Sequence, residues 1–114
     1  MIIAAHQPNH LPNLGFFYKM MQVDRFVIFT NAQFSHGDGW VRRHKIKGPN
    51  KDIWLTVPVY SPRRDQNIRS VLIDNSHKWQ HRHRKTLEMT YSRTSEQEAL
   101  GRILDLYRQP FERL

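Results

Sequence analysis

Short apolar runs alternate with polar segments over the first thirty residues. Ile2–Ala5 is apolar throughout and reads as a buried strand. His6-Gln7-Pro8-Asn9-His10-Leu11-Pro12-Asn13 interrupts it. The two prolines forbid a helix interior there and push Gln7 and Leu11 toward extended backbone. Leu14–Gln22 carries Leu14, Phe16, Phe17, Met20 and Met21 on nearly every side, which predicts a buried helix entered from the Pro12-Asn13 turn. Phe26–Phe29 is a second apolar run and a second buried strand. Strand, loop, helix, strand is the opening of an α/β unit with a parallel sheet.

Beyond Thr30 the pattern changes. Asn31–Gly39 is a polar loop with two glycines. Trp40–Lys47 alternates, with Trp40, Arg42, His44 and Ile46 on one face and Val41, Arg43, Lys45 and Lys47 on the other. Gly48-Pro49-Asn50 marks a turn, and the β-rich Asp52–Val59 predicts the returning arm of a hairpin. Trp54 reads as a core residue of that arm. Ile68–Ile73 predicts one more strand. Two helices follow. The first has a stripe of Trp79, His83, Leu87 and Tyr91. The second opens on Ser95-Glu96-Gln97-Glu98, a capping-box pattern, has a stripe of Leu100, Ile103, Leu104, Tyr107 and Phe111, and is kinked or ended by Pro110. The expected fold is α/β: a small sheet with an N-terminal strand-helix-strand unit, a basic β-hairpin and two C-terminal helices, in a single domain over residues 1–114.

Length and composition narrow the class. At 114 residues the chain is one ordinary domain, and 11% aromatics argue against simple disorder. With no cysteine there is no disulfide framework, thiolate metal site or thiol nucleophile. No run approaches a membrane span, the N-terminus does not have the form of a signal peptide, and a cytoplasmic location is expected.

The net charge of +8 is unevenly placed: residues 40–93 hold thirteen basic and four acidic groups, while the flanking segments sum to zero and −1. Such a central field attracts polyanions such as nucleic acid, acidic lipid headgroups or nucleotide and sugar phosphates, unless it is simply a solvated face. Trp40, Trp54 and Trp79 interleave the basic run, which favours anion binding.

The loop His6–Pro12 is the leading site candidate, because ligands of open α/β sheets bind beyond the carboxyl ends of strands. The imidazole of His6 serves as general base or acid, unless it only caps the turn. Gln7 and Asn9 offer donors and acceptors, with His10 beside them. Asn31 and Gln33 follow the second strand and would lie beside this loop in a parallel sheet. Arg43, Lys47 and Lys85 are candidates for holding phosphates, with Arg42 and Lys45 nearby. No metal is expected. His6 and His10 are four apart, but Pro8 prevents the helix that would align them and no carboxylate lies close to them in sequence; His77 and His81 lack a second close pair of ligands. No cofactor is expected either: no P-loop, G-x-G-x-x-G, G-x-S-x-G or H-E-x-x-H motif occurs.

The block His6-Gln7-Pro8-Asn9-His10-Leu11-Pro12-Asn13-Leu14-Gly15-Phe16-Phe17 resembles the opening of the WbqC-like protein family, and Trp54-Leu55-Thr56-Val57-Pro58-Val59 resembles a later block of it. Asp24–Ile28, Gln33-Phe34, Trp40, Arg43, Ile46-Lys47, Asp65-Gln66, Ile73-Asp74, Trp79, His83, Lys85-Thr86 and Tyr91 follow in the family's order. The chain departs from the family's usual aromatic at His10 and its Trp at Asn13. The resemblance implies a bacterial protein of surface-polysaccharide (O-antigen) biosynthesis, with transfer of an acyl or aminoacyl group to a nucleotide-linked amino sugar. It also implies a missing C-terminal half, since family members are about twice as long. In that reading His6 is the base, Gln7, Asn9, Asn31 and Gln33 orient the sugar, and Arg43, Lys47 and Lys85 hold phosphates. The partner is then a phosphorylated small molecule. The alternative is a nucleic-acid-binding module using the basic hairpin. A homo-oligomer, or an assembly subunit docking through its last helix, is a third expectation.

Overall fold

The computed structural model describes residues 1–34, 39–60, 63 and 65–114. The fold is mixed α/β, with two two-stranded sheets and three helices among the described residues. Strand β1 (Ile3–His6) and β2 (Arg25–Ile28) pair in parallel with Ile3 opposite Arg25 and His6 opposite Ile28. Helix α1 (Leu14–Met21) connects them. Asn13 caps it, its Oδ1 accepting from the Phe16 amide at 3.1 Å. The sheet is tied further by the Ile2 amide, which donates to Asp24 Oδ2 at 2.6 Å, and by Lys19 Nζ, which donates to the Ala5 carbonyl at 2.8 Å.

This unit is not buried as its apolar runs imply. Phe16 packs edge-on to Phe26 and His6, at 5.2 and 5.1 Å between ring centres. Ile3, however, is 57% exposed, Leu14 86% and Met21 81%. Among the described residues nothing covers their side of the sheet and helix, so only one stripe of each element is sheltered.

The hairpin pairs β3 (Arg43–Lys47) antiparallel with β4 (Asp52–Thr56). Both arms are shorter than their alternation predicts. Trp40–Arg42 form a turn, which lets Val41 enter a core with Phe34, Ile68 and Val71. Pro58 has no amide to donate and breaks the ladder after Thr56; its carbonyl instead accepts from the Asp74 amide at 2.8 Å. At the tip the Gly48 amide donates to the Lys51 carbonyl at 3.1 Å, and a Cβ on Gly48 would collide with that carbonyl. Side-chain alternation places Ile53, Leu55 and Val57 inward and Trp54 outward; Trp54 is 40% exposed and not a core residue.

Ile68–Ile73 is not a strand. Ile68–Ser70 is a 3-10 turn, because Ile68 and Val71, three apart, both have to reach the same core. Only Leu72 and Ile73 make bridges, to Arg113 and Val59. Helix α2 (Trp79–Thr90) buries Trp79, His83 and Leu87, the expected stripe, against Ile46, Leu55, Val57, Ile73 and Tyr107. Helix α3 (Gln97–Leu106) packs Leu100 and Leu104 on that core, and Tyr107 follows it. Its capping box does not form. Thr94 Oγ1 accepts from the Glu96 amide at 3.2 Å, and Gln97 reaches back to the Ser92 and Thr94 carbonyls. Pro110 lies beyond the helix, which has already ended. No helix among the described residues is long and apolar enough to cross a membrane.

Candidate functional site

The loop after β1 borders a cleft of about 340 Å³ with a mixed polar and apolar lining. His6, Gln7 and Asn9 form one wall. Asn13, Phe16 and Lys19 supply the α1 side, and Trp40 and His44 the hairpin side. Strand alternation brings His44 here, since it shares a face of β3 with the buried Ile46. Trp40 and His44 rings lie 5.2 Å apart, and Trp40 is 45% exposed.

Two groups at this cleft have defined chemistry. His6 Nδ1 lies 2.7 Å from the Gln7 carbonyl oxygen. A carbonyl only accepts, so Nδ1 carries the proton in the neutral ring and Nε2 holds the lone pair. Asn9 Oδ1 is buried and has no hydrogen-bond partner among the described residues. An acceptor in that condition stabilises any donor that reaches it.

Behind the loop lies a second cluster. The His10 amide donates to the Trp40 carbonyl at 2.9 Å, and its Nε2 is hydrogen-bonded to the Tyr107 hydroxyl at 3.1 Å. The His83 ring is 5.7 Å from both rings, and its Nε2 donates to the Thr56 carbonyl at 3.2 Å. Burial, with His83 and His44 as further charges, lowers the His10 pKa to about 4. Burial also lowers that of His83, partly offset by the Thr56 contact, and raises that of the Tyr107 phenol. His10 is therefore neutral at pH 7. It lines a separate apolar cavity of about 260 Å³ with Trp79, Val57 and Leu106.

Leu11 reaches the adjoining core with φ of 46°, not the extended backbone that Pro12 favours. The side chain packs inward from this left-handed conformation, which costs a non-glycine residue about 1–3 kcal/mol.

Of the candidate residues, the structure gathers His6, Gln7 and Asn9 in one cleft. Asn31 and Gln33 lie past β2. The Phe29 amide donates to the His6 carbonyl at 3.1 Å, but Asn31 and Gln33 are not among the described residues lining the cleft. Arg43 and Lys47 share the outer face of β3, with Arg43 Cζ 4.1 Å from the centre of the Trp54 ring. Lys85 is exposed on α2. The lining also includes Lys19 and His44, which are not among the candidates the sequence marks. Both carried a signal: Lys19 is one helical turn after Phe16, and His44 alternates with Ile46. Among the described residues no three His, Asp or Glu side chains cluster as metal ligands.

The chain belongs to the WbqC-like protein family, whose model matches residues 7–114. It is 37% identical over 91 residues to “Uncharacterized protein Rv1507c” of Mycobacterium tuberculosis (strain ATCC 25618 / H37Rv), a match covering 79% of this chain. The same match spans only 38% of that relative's length. No solved structure matches the chain.

Proposed function

We propose that the His6 cleft binds an amino sugar carried on a nucleotide, and that the chain contributes this site to an acyl- or aminoacyl-type transferase of surface-polysaccharide (O-antigen) biosynthesis. The observation that carries the reading is the gathering in one cleft of His6, whose Nε2 is left as a lone-pair base, of Asn9, whose buried Oδ1 has no hydrogen-bond partner among the described residues, and of an exposed tryptophan. Asn9 accepts from a sugar hydroxyl or amine, Gln7 adds a further donor and acceptor, and Trp40 covers an apolar face of the ring. As the amine nitrogen bonds to the carbonyl carbon of an activated acyl donor, the proton it sheds passes to His6 Nε2 and the donor's leaving group departs. Nucleotide-linked sugars are made in the cytoplasm, and the proposal places the protein there.

The test is calorimetry with a UDP-linked amino sugar on the wild type, His6→Ala and Asn9→Ala. Binding heat in the wild type, reduced in Asn9→Ala, supports the reading. Absence of heat at high protein concentration refutes it.

A further inference from the structure

The apolar cavity of about 260 Å³ behind the loop touches the His6 cleft at one residue. Asn9 lines both. Its Oδ1 is buried and has no hydrogen-bond partner among the described residues. On the cavity side its neighbours are Leu11, Val57, Ile73, Trp79 and Leu106. Of the other polar side chains in the lining, His10 and Tyr107 are hydrogen-bonded to each other at 3.1 Å, and Arg113 is exposed. Water needs two to four polar partners to settle in a buried hollow, and a sugar needs more. A short hydrocarbon needs none. With each CH₂ taken as about the size of a water, about 30 Å³, the volume holds about eight non-hydrogen atoms.

Charge decides which acyl group suits it. The ionisable side chains of the lining are His10, Tyr107 and Arg113. None is an anion at pH 7: burial holds His10 neutral and raises the Tyr107 phenol, and arginine is a cation. No Asp or Glu is among the described lining residues. An aminoacyl group would carry its ammonium into this hollow with no carboxylate to meet it, and an unpaired buried charge is strongly disfavoured.

We propose that this cavity is the acyl subsite: the uncharged aliphatic chain of the activated donor lies against Leu11, Val57 and Trp79, and Asn9 Oδ1 holds the sugar's amine at the junction with the cleft. The inference rests on the proposed transferase function and selects its acyl form over its aminoacyl form. The N–C bond forms at the junction as the bond from the carbonyl carbon to the donor's leaving group breaks, and the amine's proton passes to His6 Nε2.

The experiment titrates the full chain with acetamide, butanamide, hexanamide and decanamide, whose N–H groups stand in for the product amide at Asn9. Affinity is expected to rise about fourfold per CH₂ up to hexanamide, which matches the cavity in size, and to level off by decanamide. 6-Aminohexanamide, charged at its far end, is expected to bind about tenfold more weakly than hexanamide or worse. Leu106→Glu, at an exposed position on the cavity wall, is expected to weaken hexanamide and narrow that gap. Equal binding of hexanamide and 6-aminohexanamide overturns the choice of acyl group. A rise unbroken to decanamide, no rise at all, or hexanamide affinity unchanged in Leu106→Glu overturns the cavity. Titration with the UDP-linked amino sugar separates the two readings. Sugar-nucleotide binding without the amide series removes the cavity and leaves the cleft. The amide series without sugar-nucleotide binding overturns the transferase reading, and the donor role of the cavity with it.

Discussion

Lowering the pH should loosen the loop that carries His6, and the size of the effect follows from His10. In the unfolded chain its imidazole titrates at the ordinary 6.5; in the fold it titrates at about 4, because burial disfavours the cation. Above pH 6.5 both states hold a neutral ring, and His10 adds no slope. Below it the unfolded chain takes up a proton that the fold refuses, so stability falls as pH falls. The fall continues to the folded value and amounts to about 3 kcal/mol by pH 4. His83 is lowered as well and acts in the same direction. Against a typical total of about 5–15 kcal/mol, this is a large share. Urea unfolding of the wild type and His10→Gln at several pH values between 7 and 4 measures it. Glutamine keeps an amide within reach of the Tyr107 hydroxyl but does not titrate. Carboxylates act alike in both proteins, so the difference between the two stabilities isolates His10. That difference should shift by about 3 kcal/mol across the range, in favour of the variant as the pH falls. Parallel curves would show that His10 is not held neutral by the fold and would refute the reasoning.

Three other outcomes test the packing around the site. Phe34→Ala, at a side chain 1% exposed, should cost about 3–5 kcal/mol in urea unfolding by leaving a cavity. Leu11→Val puts a β-branched residue at φ 46° and should cost about 2 kcal/mol, whereas a Val tolerated without loss would mean that the loop's backbone is not held there. Gly48→Ala forces the hairpin tip away from the Lys51 carbonyl and should lower the thermal midpoint by an amount equivalent to about 1–3 kcal/mol, with calorimetry or circular dichroism as the readout.

The N-terminal unit was legible because two short apolar runs flank a proline-broken loop and a helix, a pattern with few topologies. Its exposure was not, since apolar sequence reports what could be covered and not what covers it. The Ile68–Ile73 segment misleads through its β-branched residues. The spacing of Ile68 and Val71 was the better guide, two residues three positions apart joining one core through a 3-10 turn. Trp54 was misplaced by its size, although the alternation of Ile53, Leu55 and Val57 already directed it outward. In the candidate site, His6, Gln7 and Asn9 could be read from one contiguous loop. The Tyr107–His10 hydrogen bond joins residues 97 apart in sequence, and no local pattern announces it.

That long-range bond also bears on when the site comes into being. The β3–β4 hairpin involves near neighbours in sequence and can form early, so its aromatic and cationic face is ready soon after synthesis. The wall opposite is secured only when His10 meets Tyr107, 97 residues further along, an event that loop-closure entropy delays. The nascent chain would thus display its charged ladder before the hollow beside His6 is walled, and any condition that frays the segment around Tyr107 would open that hollow first.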